Sequence, residues 1–151
     1  MMPIHIELVT QEAKIFDEPE ADIVIVPAVE GEMGVLPNHA PVLTTLSFGE
    51  LVVRKGEAEE RFAIYGGVVD VRPDKVVVLA DLAESSYALD LEKAQEARER
   101  ARMILEDGPP GADNRQAELA LRRANLAVRI SQKVRSRGSM LRIIDEDAEE
   151  I

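Results

Sequence analysis

Little in this sequence can perform covalent chemistry. It has no cysteine and only two histidines, His5 and His39, so disulfides and thiolate metal sites are excluded, and too few ligands remain for zinc or a histidine-based triad. The densest constellation is EGEMGVLPNHAP, Glu30 to Pro41, which places Gly31, Gly34, Pro37, Asn38 and His39 between segments rich in β-branched residues. Glycine reaches positive φ without a Cβ penalty and proline fixes φ near −65°, so this spacing dictates a shaped turn. Neither a nucleophile nor a second histidine lies within it, which removes His39 as a catalytic base. The chemistry on offer is recognition, by an acidic turn (Glu30, Gly31, Glu32) and a histidine held between prolines. A second constellation is cationic: residues 114–142 hold Arg115, Arg122, Arg123, Arg129, Lys133, Arg135, Arg137 and Arg142 against Glu118 alone, a net +7.

The 151-residue chain, net charge −11, is long enough for one good core, or for one domain and an appendage. Its charge is unevenly placed. Residues 1–86 hold 6 Lys/Arg against 16 Asp/Glu (−10), residues 87–151 hold 12 against 13 (−1), and Asp145, Glu146, Asp147, Glu149 and Glu150 end the chain in acid. An acidic body, a basic arm and an acidic tail suit a contact that engages and releases. The N-terminus, MMPIHIELV, has no basic stretch ahead of an apolar run, and no segment reaches the roughly 18 apolar residues of a membrane span. The expectation is a soluble intracellular protein that docks on something in a membrane.

The elements that position these residues change character near Tyr87. Before it, PIHIELV alternates apolar and polar with the period of a half-buried strand. AKIFDE and ADIVIVP come next, then PVLTTL, GELVVRKGEAEERFAIY turning near Gly56, and GGVVDVRPDKVVVLAD with Pro73 and Asp74 in a type I turn. Eight or more short strands ending near Asp81 predict an antiparallel β-sandwich or flattened barrel over residues 1–86. After Tyr87, Leu91, Ala94, Ala97, Ala101, Ile104 and Leu105 recur in steps of three and four, one face of a helix with Asp90 as its N-cap. DGPPGAD breaks it, and a second helix starts at Asp113 or Asn114 with Ala117, Ala120, Ala124 and Ala127 on its small face. Residues 87–137 are therefore an antiparallel α-helical hairpin with a close alanine seam, weakly held because alanine buries little area. Residues 138–151 form an acidic C-terminal tail.

EGEMGVLPNHAPVLT, GELVVR, FAIYGGVVDV and the helical RQAELALRRA, taken together, resemble the epsilon subunit of bacterial F-type ATP synthases over about residues 3–137. The resemblance implies a non-catalytic chain of the rotary central stalk of a proton-translocating complex, peripheral on the cytoplasmic face of the plasma membrane. It implies a sandwich that binds the gamma subunit and sits on the c ring. The hairpin would move between a compact form and an extended one that reaches the alpha and beta subunits and inhibits ATP hydrolysis. On the matching positions, Glu30, Gly31 and Glu32 would meet the c ring and His39 and Pro41 would face gamma. Arg122, Arg123, Arg129 and Lys133 would face acidic partner surface.

Some members of that family bind regulatory ATP through [IL]-D-x-x-R-A and further arginines. Here Glu84, Asp90, Arg100 and Arg123 match, Lys93 replaces an arginine, and Ala127 stands where the last arginine is expected. Lysine meets phosphate only as a point charge, so no cofactor is required by this reading, and ATP is an expectation resting on a depleted set. The tail, GSMLRIIDEDAEEI, is expected to fold back on the basic second helix and temper its reach. An adaptor for nucleic acid or protein using that basic helix is the competing class. The acidic body would repel phosphate, however, and none of the five aromatics lies in the helix.

Overall fold

The computed structural model describes residues 3–107, 112–137 and 142–143. The strands are β1 (Ile4–Val9), β2 (Lys14–Ala21), β3 (Ile23–Ala28), β4 (Gly31–Val35), β5 (Val42–Lys55), β6 (Ala58–Val71), β7 (Lys75–Ala80) and β8 (Ala83–Ser85), succeeded by the helices α1 (Leu91–Asp107) and α2 (Ala112–Arg137). They form two compact units: residues 1–85 with 139–151, and residues 86–138.

In the β unit the strand order is β2-β1-β7-β6-β5-β3-β4, with β8 also on β6. Every pair is antiparallel except β1 on β7. Inward positions keep to the two-residue period: Ile4, Ile6 and Leu8 from β1, Val69 and Val71 from β6, Val76 and Val78 from β7, with Val24, Val26, Leu51, Val53, Phe62 and Ile64 completing one buried cluster. The Phe16 and Phe62 rings meet at 5.1 Å within it.

Two strands are longer than the sequence pattern predicts. PVLTTL and GELVVR, expected as separate strands, are one 14-residue strand, β5, paired with the 14-residue β6 from Val42↔Val71 to Lys55↔Ala58. Gly49 lets β5 run through, because a Cβ there would lie 2.4 Å from Pro27 Cβ on the neighbouring β3. β6 changes partner midway. Its C-terminal half pairs with β7 over residues 67–71 and its N-terminal half with β8 over residues 62–64. The change falls on Gly66 (φ 87°) and Gly67 (φ 129°), a backbone path that L side chains rarely adopt. This ribbon joins the two layers of a sandwich whose sheet does not close. A further difference lies in the Gly/Pro stretch, of which residues 31–35 are strand β4 rather than turn.

In the helical unit Asp90 caps α1 as expected: its Oδ1 accepts from the Glu92 amide at 3.0 Å and the Lys93 amide at 3.3 Å. The seam holds Ala94 of α1 with Ala127 and Val128 of α2, alongside Leu89 and Leu91. The start of one helix thus lies against the end of the other, as an antiparallel pair requires. Ile104 and Ala120, predicted on the apolar faces, are exposed. α2 begins at Ala112, ahead of the predicted Asp113 or Asn114.

A Cβ on Gly67 would stand 2.2 Å from the Leu79 carbonyl oxygen and 2.8 Å from Ala80 Cα. Both neighbours are backbone, so Gly67→Ala is expected to cost about 3 kcal/mol of stability in urea unfolding. A loss below about 0.5 kcal/mol would mean that the bend is not fixed at this residue.

Candidate interaction sites

The acidic turn is the connection between β3 and β4. Gly31 takes φ 132°, opposite Ala28 in the ladder, and Glu32 opposes Pro27. Glu30, Gly31 and Glu32 are exposed, and their turn borders a shallow groove with Met33, Gly34, Val42 and Thr44. The result is a presented pair of carboxylates on a fixed backbone. His39 and Pro41 lie beyond the other end of β4, which spans roughly 13 Å at strand rise, so the two predicted contacts are separate patches. Their loop is tied down: the Asn38 amide donates to the Pro73 carbonyl at 2.8 Å, and the His39 amide to Leu36 at 3.2 Å. His39 Nδ1 donates to the Ala40 carbonyl at 2.7 Å, which fixes the tautomer when the ring is neutral. His39 is half-buried, Pro41 exposed.

Beyond that loop the sheet presents a surface that the sequence reading missed. Leu43, Val68 and Leu79 point away from the core and remain 73%, 37% and 49% exposed. They lie on adjacent strands, since Val68 faces Thr45 on β5 and Leu79 on β7. They give an apolar row on an outward face where a half-solvated sheet would carry polar side chains. The signal was present: GGVVDV and KVVVLA are apolar at positions of both parities. On the same outward face β1 and β2 are polar. There His5 Nε2 donates to Asp17, and Lys14 Nζ lies 3.0 Å from Asp17 and Lys75 Nζ 3.3 Å from Glu7. The His5 hydrogen bond first, with Lys14 adding to it, holds Asp17 below the usual aspartate range. Lys75 does the same for Glu7. His5, Glu7 and Asp17 converge closely enough to hold a cation, but two lysines already share their charge.

A buried charge ladder, also unforeseen, runs along the other half of the ribbon. Glu50, Glu59 and Arg61 are 8%, 5% and 7% exposed. Arg61 donates to Glu50 through Nη1 and to Glu59 at 3.0 and 3.1 Å, and Arg54 Nε reaches Glu59 at 3.0 Å. Burial alone would raise the Glu59 pKa, but the hydrogen bonds from Arg54 and Arg61 outweigh it and the net direction is down. Burial likewise opposes the charge on Arg61, and hydrogen bonds to Glu50 and Glu59 reverse it.

On α2, Arg122, Arg123 and Arg129 are exposed and Lys133 is half-buried. At 100° per residue, Arg122, Arg129 and Lys133 fall within about 40° of one another, and Arg115 joins their stripe, while Arg123 sits about 100° away. Of the predicted set Arg122, Arg123, Arg129 and Lys133, three thus share one stripe with Arg115, and Arg123 stands apart from it. Arg135 and Arg137 lie where side chains are outside the described residues, as do the tail acids 145–150.

The nucleotide set is divided. Glu84 is on β8, opposite Ala63, in the β unit, whereas Asp90, Lys93, Arg100 and Arg123 belong to the helical unit. In that unit a cavity of about 640 Å³ opens beside the start of α1, lined by Ser86, Leu89, Asp90, Glu92, Gln95 and Ser131 among others. Among the described residues its wall has two carboxylates and no basic side chain, and Asp90 already accepts from the first amides of α1. Lys93, Arg100 and Arg123 are not among the described residues that line it.

Of the tail, Arg142 and Ile143 are described, and they meet Glu60 and the sandwich core; the expected fold-back of its acidic residues on α2 lies outside the described residues. Glu60 is an inward-facing carboxylate and Ile143 is apolar, which explains that placement physically.

Because Glu59 has a depressed pKa in the folded protein, its contribution to stability is full above the unfolded value, near 4.5, and is lost as pH falls through the folded value. Glu59→Gln is therefore expected to flatten the fall of stability with acid below about pH 4.5. The check is urea unfolding across that window, and an unchanged slope would contradict the pairing.

Comparison with known proteins matches these units one by one. The family model described as ATP synthase, Delta/Epsilon chain, beta-sandwich domain covers residues 3–86, and the one described as ATP synthase, Delta/Epsilon chain, long alpha-helix domain covers residues 88–132. An ATP synthase epsilon chain of Moorella thermoacetica is 46% identical over 125 residues, 82% of this chain and 92% of that one. One from Dehalococcoides mccartyi is 41% identical over 136 residues, 89% of this chain and 96% of the relative. Among solved structures, a chain in the cryo-EM structure of the Euglena gracilis mitochondrial ATP synthase (OSCP/F1/c-ring) matches with a TM-score of 0.74 at 28% identity, covering 83% of this chain and 79% of that one. The sandwich with its Gly66–Gly67 bend and the alanine-seamed helix pair are thus the two halves of one family pattern, and the chain belongs to the delta/epsilon chain family of ATP synthases.

Proposed function

We propose that this chain is a non-catalytic epsilon subunit of the ATP synthase central stalk, coupling rotation of the c ring to the catalytic head and restraining ATP hydrolysis through its helical unit. The observation that carries the reading is the end-to-end match of both units, residues 3–86 and 88–132, to the delta/epsilon models. It is supported by relatives that are themselves epsilon chains, and by a structural neighbour that sits in an assembly containing the c ring.

Each patch suits one neighbour. The apolar row of Leu43, Val68 and Leu79 beside the pinned His39 loop has the character of a stable protein contact, and gamma is its proposed partner. The Glu30–Glu32 turn is an anionic projection on fixed backbone, matched to basic loops of the c ring. The Arg115, Arg122, Arg129 and Lys133 line suits acidic surface on alpha and beta. Among the described residues no helix is long and apolar enough to cross a membrane, so membrane association comes through the complex, at the cytoplasmic face of the plasma membrane. No nucleotide on this chain is needed for any of these roles, and the nucleic-acid alternative loses its ground because the family match accounts for the basic helix.

Two substitutions in the full-length chain separate the parts of this reading. Val68→Asp, at an outward position that the core does not use, is expected to weaken capture by gamma by about 100-fold, as an unpaired charge at the centre of an apolar contact would. Arg122→Glu with Arg129→Glu should leave gamma capture intact and raise ATP hydrolysis by the reconstituted head. Unchanged gamma capture by the Val68 variant refutes the docking face, and unchanged hydrolysis by the helix variant refutes the inhibitory role.

A further inference from the structure

The long alpha-helix model of the family stops at residue 132, and the segment beyond α2 in this chain has its own placement. Arg142 donates from Nε to Glu60 Oε1 at 3.2 Å and from Nη2 to Glu60 Oε2 at 3.3 Å. Ile143, 1% exposed, belongs to the same buried cluster as Leu51, Val53, Phe62 and Ile64. The acceptor is unusual. Glu60 faces the core from β6, in register with Val53 and in step with Ala58 and Phe62, and is 0% exposed. A carboxylate at that depth is tolerated when a cation accompanies it, and a guanidinium that meets both oxygens is the geometry that suits it best. Sequence position thus puts a cation and an apolar anchor 82 residues away in the chain from the buried acid that receives them.

We propose that Arg142 and Ile143 form a latch that fastens the C-terminal end of α2 to the β body and must open before the helices can extend. This rests on the reading that the helices move in order to inhibit. The helical unit is already joined to the β unit at Ser86, and the latch adds a second attachment beyond α2. Between Arg137 and Arg142 the chain can span at most about 18 Å when fully drawn out. α2, at 26 residues, is about 39 Å long. With Arg142 seated, α2 cannot travel its own length; with Arg142 released, it can. The tail therefore sets the population of the extended form by mass balance between latched and unlatched chains. Its selective loss would make this subunit a stronger inhibitor without touching the cationic stripe.

The chain has no native cysteine, so spin labels can be placed at two introduced ones, at the exposed Glu57 in the β5–β6 turn and the exposed Asp107 at the end of α1. Their separation is then read by electron resonance in the full-length protein. Arg142→Ala is expected to raise the population at long separation by about ten-fold, the scale of losing one charge-assisted pair. Since that variant leaves Glu60 without the Arg142 cation, the paired change Glu60→Gln with Arg142→Gln removes both charges together and should act in the same direction. Distances unchanged in both variants overturn the latch. In the reconstituted head, Arg142→Ala should also lower ATP hydrolysis. If Arg122→Glu with Arg129→Glu shows that the helices do not inhibit, that second readout falls with the inhibitory reading, and the spin-label distances still decide whether the latch exists.

Discussion

The β5–β6 ribbon is the constraint on which the rest of the molecule depends. Both strands have 14 residues and stay in register from end to end, so each must belong to both layers, and the sheet can fold over on itself only if the ribbon bends. Gly66 and Gly67 supply the bend, at the point where β6 exchanges β7 for β8. On one side of it Leu43 and Val68 are outward, apolar and exposed; on the other Glu50, Glu59 and Arg61 are charged and buried. A single glycine pair therefore separates a docking face from a charge ladder within one strand, and also places Glu60 facing inward, where a residue from the chain's other end receives it.

The two units are held by different physics, which suits the division of work proposed for them. The β unit buries β-branched and aromatic side chains from β1 through β7 around one centre, and its strands are joined by backbone ladders. The helical unit has more small buried positions: Ala94, Ala101, Ala117, Ala124 and Ala127 are buried beside Leu126, Val128 and Ile130 of α2. At about 0.8 kcal/mol per buried methylene-sized group, such a seam is worth far less per turn than a leucine one. A body that must transmit force needs the first kind of core, while an arm that must change partners is better served by the second.

Much of this was legible beforehand. Alternation in PIHIELV gave β1, the steps of three and four gave α1, and Asp90 ahead of Glu92 gave its cap, because those features depend on neighbours in sequence. Two classes of feature were not legible. One was continuity: Leu46 to Glu50 looked like a break because Gly49 is a poor strand former, but its lack of a side chain is what Pro27 requires across the sheet. The other was anything set by distant pairing. Glu60 reads as a solvated residue in AEERF until the register shows it facing inward, and Arg142 reads as one more cation of the 114–142 stretch until Glu60 is known to be buried. The apolar row was visible in principle in GGVVDV and KVVVLA. Those segments were read only as strands joined by a turn, and the sheet order is what shows that one face is left open. The acidic turn, His39 and the α2 cations were found by their spacing, while the nucleotide set came from the resemblance alone.

The central claim is that a force-bearing β body and a separately stabilised helical arm coexist in one chain. Native-state amide hydrogen exchange across a urea series tests it most directly, because it assigns an opening free energy to each segment. The account predicts that amides of Leu51–Val53 and Phe62–Ile64 exchange only through global unfolding, while those of α1 and α2 exchange through an opening of lower free energy and smaller urea dependence. Helices and ribbon exchanging with one free energy and one urea slope would contradict it.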